Sequence, residues 1–169
     1  PSDGKVYHYS QVKVDGTNRW QSTTYYYDTA TKEYHKYKTV TKASITIKGL
    51  EKATTYKIAV SNVFKNNGKT TTTPKVAFNA VTLPGKTKNL KIEDKITLTW
   101  SKVKGADGYT VYSYNSSAKK WERFDTVKKN SCPIGKKFGS ATQKFKVRAF
   151  KKSTDGTKFY GGYSNIISR

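Results

Sequence analysis

The amino-acid sequence predicts an all-β chain made of two small sandwich modules, and three observations lead to that prediction. A block recurs at a fixed spacing, since Tyr25-Tyr26-Tyr27-Asp28 is matched by Tyr112-Ser113-Tyr114-Asn115 87 positions later (112 − 25). Thr, Tyr, Val and Ile, which favour strands, are frequent, whereas Met is absent. No segment carries apolar residues at i, i+3, i+4 and i+7 over three turns, which is the spacing typical of a helix.

The repeat also divides the chain into domains. The returning strand of each predicted hairpin keeps the same spacing, because Tyr34 matches Trp121 (121 − 34). About 90 residues are enough to close one core, so this spacing indicates two independently folding modules. We predict domains at residues 1–82 and 83–169, joined by the short connector Leu83-Pro84-Gly85.

The first module is predicted as a series of strands joined by turns. In order, these are a strand over 6–14, a hairpin over 19–27 and 33–40, strands around 45–48 and 56–60, a turn at 66–68, and a closing strand over 76–81. Tyr56, Ile58 and Val60 alternate with polar residues, the pattern of a strand with one buried face. The Asn67-Gly68 pair predicts a tight hairpin, because both residues tolerate a positive φ.

The second module has a more regular pattern. The module begins at Leu90 and Ile92, and a buried strand with Ile96, Leu98 and Trp100 follows. After a turn at 105–108 come a hairpin around 115–119 and a strand with Phe145, Val147 and Ala149. A turn at Asp155-Gly156 then leads to a closing strand over 164–168. On the first hairpin strand Tyr109 and Val111 are predicted to face inward. Tyr112 and Tyr114 then take the opposite phase and face outward.

Four segments of the second module form a recognisable set: Leu98-Thr99-Trp100, 105–112, 145–149 and Tyr163-Ser164-Asn165. With these segments, residues 84–169 resemble a bacterial fibronectin type III domain. The first module is similar through 50–60, where Leu50 and Tyr56 match the tyrosine-corner segment of that family. It departs from the family at Lys13, which stands at the place of the family's tryptophan. Either an N-terminal strand was trimmed from the fragment, or Trp20 fills the role from a shifted position.

The resemblance implies a seven-stranded, two-sheet immunoglobulin-like sandwich with Greek-key topology, used as a spacer, adhesion or accessory module. It also implies a multimodular surface or secreted protein of a Gram-positive bacterium, extracellular and either released or attached to the cell wall. Neighbouring domains of the same chain are then the first partners. Because the sequence has neither an initiator Met nor a signal peptide, we interpret it as an internal fragment of such a protein.

The chain is strongly basic, with 33 Lys and Arg residues against 11 Asp and Glu and a formal net charge of +22. This charge favours anionic partners, such as bacterial wall polymers, host glycans or acidic host proteins. A structural alternative is that outward Lys residues keep strand edges from pairing. Nucleic acid is a disfavoured partner, because Lys greatly outnumbers Arg and is scattered over both modules. No apolar run approaches the ~20 residues of a membrane span.

No catalytic or metal-binding constellation is visible in the sequence. His8 and His35 have no Cys or carboxylate at the spacing of a metal site, so we interpret both as surface histidines. Cys132 is the single cysteine, and its loop-like surroundings beside Pro133 indicate an incidental thiol. We therefore predict a protein that is not an enzyme, without catalytic residues, cofactor or metal.

The hairpin aromatics and their neighbouring lysines are the candidate ligand-binding residues. They are Tyr25, Tyr27, Tyr34 and Lys36 in the first module, and Tyr112, Tyr114, Lys119 and Trp121 in the second. Rings on adjacent strands come within contact range, and exposed Tyr and Trp are favoured in binding sites. They would recognise a carbohydrate or a host protein such as a mucin or an immunoglobulin. The structural alternative is that these rings only fill a core that is short of Leu.

Overall fold

The computed structural model describes residues 5–7, 20–42, 44–66, 68–135 and 142–169, and every regular element in these ranges is a β-strand. The chain divides into two compact units, one of Pro1–Leu50 with Thr55–Ala80 and one of Glu51–Thr54 with Val81–Arg169. The strands of the first unit are β1 (Lys5–Tyr7), β2 (Trp20–Asp28), β3 (Glu33–Val40), β4 (Ser44–Thr46), β5 (Thr55–Asn66), β6 (Lys69–Thr72) and β7 (Val76–Val81), of which the last residue belongs to the second unit. Those of the second are β8 (Lys91–Glu93), β9 (Thr97–Thr99), β10 (Gly108–Asn115), β11 (Lys120–Val127), β12 (Ser131–Pro133), β13 (Lys144–Lys152), β14 (Lys158–Tyr160) and β15 (Ile167–Ser168).

Two antiparallel sheets make up the second unit. One has the order β12-β9-β8, and the other has the order β11-β10-β13-β14 with β15 also paired to β13. The chain changes sheet between β9 and β10, between β11 and β12, and again between β12 and β13. This is the crossing pattern of a Greek-key sandwich. The predicted all-β fold with immunoglobulin-like sandwiches is therefore confirmed.

Side chains from both sheets of the second unit meet in one hydrophobic core. Its buried members are Leu90, Leu98, Trp100, Cys132 and Ile134 from the three-stranded side, and Tyr109, Val111, Phe145, Val147 and Ala149 from the other. The rings of Trp100 and Tyr109 pack edge to face at 5.2 Å. The Tyr109 hydroxyl accepts a hydrogen bond from the Val103 backbone N–H at 2.8 Å, so this ring is buried with its polar end satisfied.

Two residues of the second unit lie elsewhere than the sequence predicts. Cys132 is not in a loop but in β12, where its backbone pairs with Leu98 and its side chain is fully buried. A thiol packs as a small apolar group, so the core accommodates it. Ile96 is not buried with Leu98, because it lies in the turn between β8 and β9 and is 46% exposed.

The first unit is organised around a sheet in the order β3-β2-β5-β6, with β7 also paired to β5, while β1 pairs with β4. At the positions where the second unit buries Tyr109 and Val111, the first unit buries Ser22 and Thr24. Less apolar surface therefore leaves water from this strand, and the first core relies more on β5, where Ile58 is buried.

Several sequence predictions for the first unit fall at the limits of the described residues. Most of the strand predicted over 6–14, together with Lys13, lies outside them, and Trp20 begins β2 with its backbone opposite Phe64. The predicted tight hairpin is confirmed by the pairing of Asn66 with Lys69 and by a φ of 77° at Gly68. Asn67 itself lies outside the described residues.

The repeat is visible in the backbone as well as in the sequence. The pairing of β2 with β3 shifts register between Thr24 and Tyr25, and that of β10 with β11 shifts between Val111 and Tyr112, 87 residues later (111 − 24). Both hairpins also turn with a positive φ at a lysine, 57° at Lys32 and 50° at Lys119. The irregularity is therefore a shared feature of both modules, as β-bulges commonly are within a family.

The burial of Cys132 gives a direct test of the core. In native buffer we expect its thiol to react with an aromatic disulfide reagent at least about 100-fold more slowly than in concentrated urea, because access requires the unit to open. Reaction is followed by absorbance and reports on this residue alone, since it is the single cysteine. Equal rates in the two conditions would place Cys132 outside the core.

Candidate binding faces of the two hairpins

The outer face of the four-stranded sheet in the second unit carries rings and cations side by side. Because the inward positions of β13 are filled by buried Phe145 and Val147, the positions between them point outward. The outward residues are Thr110, Tyr112 and Tyr114 on β10, Trp121 and Arg123 on β11, and Lys144, Lys146, Arg148 and Phe150 on β13. Within this described set there is no Asp or Glu, so the outward side chains of these strands supply no carboxylate to neutralise the cations of the face.

Lys146 lies between two aromatic rings. Its ammonium is 4.3 Å from the ring centre of Trp121 and 4.1 Å from that of Tyr163. The Trp121 ring in turn packs edge to face on Tyr114 at 5.4 Å, across the register pair that joins β10 to β11. The lysine is therefore held in place by rings from two directions.

Arg148 occupies the next outward position and is bound in the same way. Its guanidinium lies 3.7 Å from the ring centre of Tyr160 and 4.8 Å from that of Tyr163. Its Nη2 and Nε donate hydrogen bonds to the Tyr112 hydroxyl at 2.6 and 3.1 Å. Each contact of a cation with a ring contributes about 0.5–2 kcal/mol, more when water is excluded.

The electrostatics of this face follow from partial burial and like charge. Burial lowers the pKa of Lys146, and the charge of Arg148 lowers it further. Burial also raises the pKa of Tyr163, although Arg148 acts in the opposite direction. A ring attracts a cation through its quadrupole but does not cancel its charge. The ring contacts therefore do not neutralise Lys146 or Arg148.

The first unit has a smaller version of the same arrangement. Tyr27 and Tyr34 pack edge to face at 5.1 Å, as Tyr114 and Trp121 do. Lys57 lies 4.9 Å from the Tyr27 ring centre, and Lys75 lies 4.4 Å from that of Tyr25 and 5.9 Å from that of Tyr34. Both units thus place a lysine against the hairpin aromatics.

The sequence identified the aromatics correctly as neighbours but chose other lysines to accompany them. Lys36 pairs with Tyr25 across the sheet, and Lys119 lies exposed in the hairpin turn. The cations that lie over the rings come instead from β5, from β13 and from the segment just before β7: Lys57, Lys75, Lys144, Lys146 and Arg148. Strict alternation of Lys and Arg with buried residues from Lys144 to Ala149 was the signal that could have found three of them.

The covered ring faces limit what these sites can do chemically. Stacking a sugar or a base needs a vacant ring face, whereas Trp121, Tyr160 and Tyr163 each have a cation over the ring. The cations therefore occupy ring surface that stacking would use. The arrangement is suited to an anionic partner more than to a neutral one.

The first unit also has an apolar groove of about 290 Å³ beside the hairpin. Its lining includes Tyr26, Tyr37, Ile47, Tyr56 and Ile58. His35 stacks on Tyr26 at 5.7 Å and shares a 2.8 Å hydrogen bond with Thr31, so its imidazole has a structural role. In the described part of the chain, no group of three or more His, Cys, Asp or Glu could hold a metal ion.

The comparisons with known proteins add a likeness of fold. No protein-family model matches the chain, and no curated protein matches it significantly. Among solved structures, it is similar to a segment of two fibronectin type III domains from chicken tenascin, with 16% identity over 93% of this chain and 85% of the other and a TM-score of 0.48. It is also similar to the FN1–FN3 domains of chicken CNTN1, with 15% identity, 90% and 54% coverage and a TM-score of 0.42.

A third solved structure is the alpha chain of the chicken interferon gamma receptor, with 12% identity, 96% and 89% coverage and a TM-score of 0.40. With identities and TM-scores this low, the fold assignment rests on the strand order and on the core described above. The described part of the chain contains no helix whose length and hydropathy would let it span a bilayer.

The influence of the Arg148 charge on Lys146 predicts a change in titration. In Arg148→Gln, we expect the pKa of Lys146 to rise towards that of an ordinary lysine, because a like charge is removed and the ammonium becomes better hydrated. Side-chain NMR of the lysine ε-carbons measures this pKa. The matched control is Arg123→Gln, which removes one charge from β11 and should leave the titration unchanged. An unaltered pKa in Arg148→Gln would contradict the coupling.

Proposed function

We propose that this chain is a non-catalytic pair of modules in a bacterial extracellular multimodular protein, where it acts as a spacer and contacts an anionic surface. The observation that carries the proposal is the outward positive face of each hairpin, with Lys and Arg over rings and no outward carboxylate on β10, β11 or β13. The net charge of +22 extends the same preference over the chain. Wall polymers and host glycans or proteins are the candidate surfaces.

One partly exposed carboxylate of the second unit, that of Asp107, has structural partners. Asp107 accepts a hydrogen bond from the Lys151 ammonium and one from the Lys152 backbone N–H, both at 2.8 Å. Although burial opposes it, these contacts lower the pKa of the Asp107 carboxyl. These two hydrogen bonds hold the end of β13 next to the start of β10. Immunoglobulin-like sandwiches commonly serve as spacers or binding modules.

A second candidate function is specific recognition of a carbohydrate or of a host protein such as a mucin or an immunoglobulin. It is favoured by the edge-to-face pairs Tyr27–Tyr34 and Tyr114–Trp121, which hold half-buried rings at the same place in both units. Ordered Tyr and Trp side chains are common binding anchors. The lysines over the rings weigh against it, because they cover the surface that a neutral sugar would use.

Salt dependence separates the two functions. We expect the chain to bind immobilised anionic polymers at about 0.15 M salt and to lose most of that binding at about 0.5 M, since exposed charges are screened. Neutral glycans and uncharged host glycoproteins should not bind at either concentration. Binding is measured by surface plasmon resonance, with a net-neutral sandwich module of similar size as the control.

Removing rings without removing charge completes the test. The double variant Tyr27→Leu/Tyr114→Leu keeps every Lys and Arg, so most of the salt-sensitive binding to anionic polymers should remain. A ligand that is retained at high salt and lost in this variant would replace the proposed function with specific recognition. Failure of the wild-type chain to bind any anionic polymer would overturn the anionic contact.

A further inference from the structure

One face of the second unit stands out from the general positive charge. We call it the cation ladder and define it by Lys144, Lys146 and Arg148 on β13 and by the rings of Tyr112, Trp121, Tyr160 and Tyr163. We propose that the cation ladder binds an extended anionic glycopolymer, a chain of sugar or polyol units that carries sulfate, carboxylate or phosphodiester groups. The inference rests on the proposed function and narrows it to one unit and one class of ligand.

The spacing of the cations suits an extended ligand. Lys144, Lys146 and Arg148 occupy alternate positions of one strand, so their Cα atoms repeat about every 6.6 Å along a nearly straight line. Arg123 lies on the same face of β11, opposite Tyr112. A linear polymer with regularly spaced anions can meet several of these cations at once, whereas a single small anion would meet only one or two.

The rings prepare the cations for binding. Lys146 and Arg148 are only half-exposed and are held between aromatic rings, so much of their side-chain freedom is already lost when the unit folds. A ligand that pairs with them therefore loses less entropy than it would with free surface lysines. Part of their hydration is also removed, which strengthens attraction to an anion beyond that of a fully solvated pair.

The same rings disfavour other ligands. Bases bind single-strand sites largely by stacking, and neutral sugars also use ring faces, but the rings of the ladder are covered by Lys146 and Arg148. Sugar and polyol hydroxyls can instead hydrogen-bond with tyrosine hydroxyls at the ring edges, such as that of Tyr163, which is 36% exposed. An anionic glycopolymer satisfies both the charges and the ring edges.

The first unit lacks the full ladder and supplies the internal control. On β5, Ile58 and Val60 are buried where β13 buries Val147 and Ala149, at an offset of 89 residues (147 − 58). Ala59, which is also buried, stands where β13 has Arg148 (148 − 59). Lys57 and Lys75 remain there as ring-bound cations. Both units thus have cations in contact with rings, but only the second unit has a continuous row of charge.

The test compares two double variants with equal loss of charge. Lys146→Gln/Arg148→Gln removes two charges from the ladder, and Lys57→Gln/Lys75→Gln removes two ring-bound charges from the first unit. Thermal unfolding checks that each is folded. Affinity is measured by titration calorimetry against a sulfated glycosaminoglycan, polygalacturonate and poly(glycerol phosphate), with single-stranded DNA and neutral dextran as comparators.

We expect the ladder variant to bind at least one anionic glycopolymer at least about tenfold more weakly, because it loses two preordered charge contacts. The control variant should weaken binding less than about twofold, as expected for a screened loss of distant charge. The preferred polymer identifies sulfate, carboxylate or phosphodiester as the anionic group.

Three results would overturn the inference. Equal losses in both variants would show that charge acts without a site and would leave the proposed function standing. Tighter binding of single-stranded DNA than of any glycopolymer would replace the ligand class. Absence of binding to every polymer would remove the proposed anionic contact as well.

A second readout does not depend on the variants. Backbone amide NMR of the wild-type chain, titrated with a short fragment of the preferred polymer, should shift signals of β13 and β14 more than those of β5. Shifts spread evenly over the two units would contradict a site on the cation ladder.

Discussion

Strand β13 carries two sets of side chains on its two faces, and most of the second unit depends on that alternation. Phe145, Val147 and Ala149 are fully buried in the core, while the positions between them hold Lys146 and Arg148 against rings of the outer face. A shift of one residue in register would exchange the two sets and bury the cations. The hydrophobic core therefore fixes the geometry of the charged face, although the two share no side chain.

The outer face is arranged as it is because acidic residues are scarce. With 33 basic residues and 11 acidic ones, most cations of this chain cannot find a carboxylate. Aromatic rings, which are plentiful here, take the place of the missing partners for Lys57, Lys75, Lys146 and Arg148. A ring stabilises a cation without neutralising it, so the protein gains ordered surface structure and keeps its field. A carboxylate at the same place would order the cation equally well but would abolish the attraction for an anion.

Local sequence patterns predicted most of the fold. The predictions were wrong where the environment of a residue depends on segments that are far away in the sequence. The period-2 alternation located β5, β10 and β13, and the fixed spacing of 87 residues located both hairpins. Ile96 fits the alternation of Leu98, yet a turn places it in solvent. Cys132 beside a proline looked like a loop residue, because only pairing with β9 makes its segment a strand. For the candidate site, the sequence found the rings but took their cations from the same hairpin, whereas sheet pairing supplies them from β5 and β13.

The two units are similar to each other in their hairpins and differ more in the rest of their sequence. The bulge, the turn lysines and the edge-to-face ring pair recur at the same spacing, and all of them shape the outer face. The inward positions of the same strand do not recur, because Ser22 and Thr24 stand where the second unit has Tyr109 and Val111. Cores tolerate exchange as long as volume and pattern are kept, whereas a surface made of paired rings and cations needs particular side chains at particular positions. The part of the outer face that recurs is therefore the ring pair with one lysine, Lys57 or Lys146. The row of cations is complete only in the second unit, because Arg148 stands at the position that Ala59 has in the first.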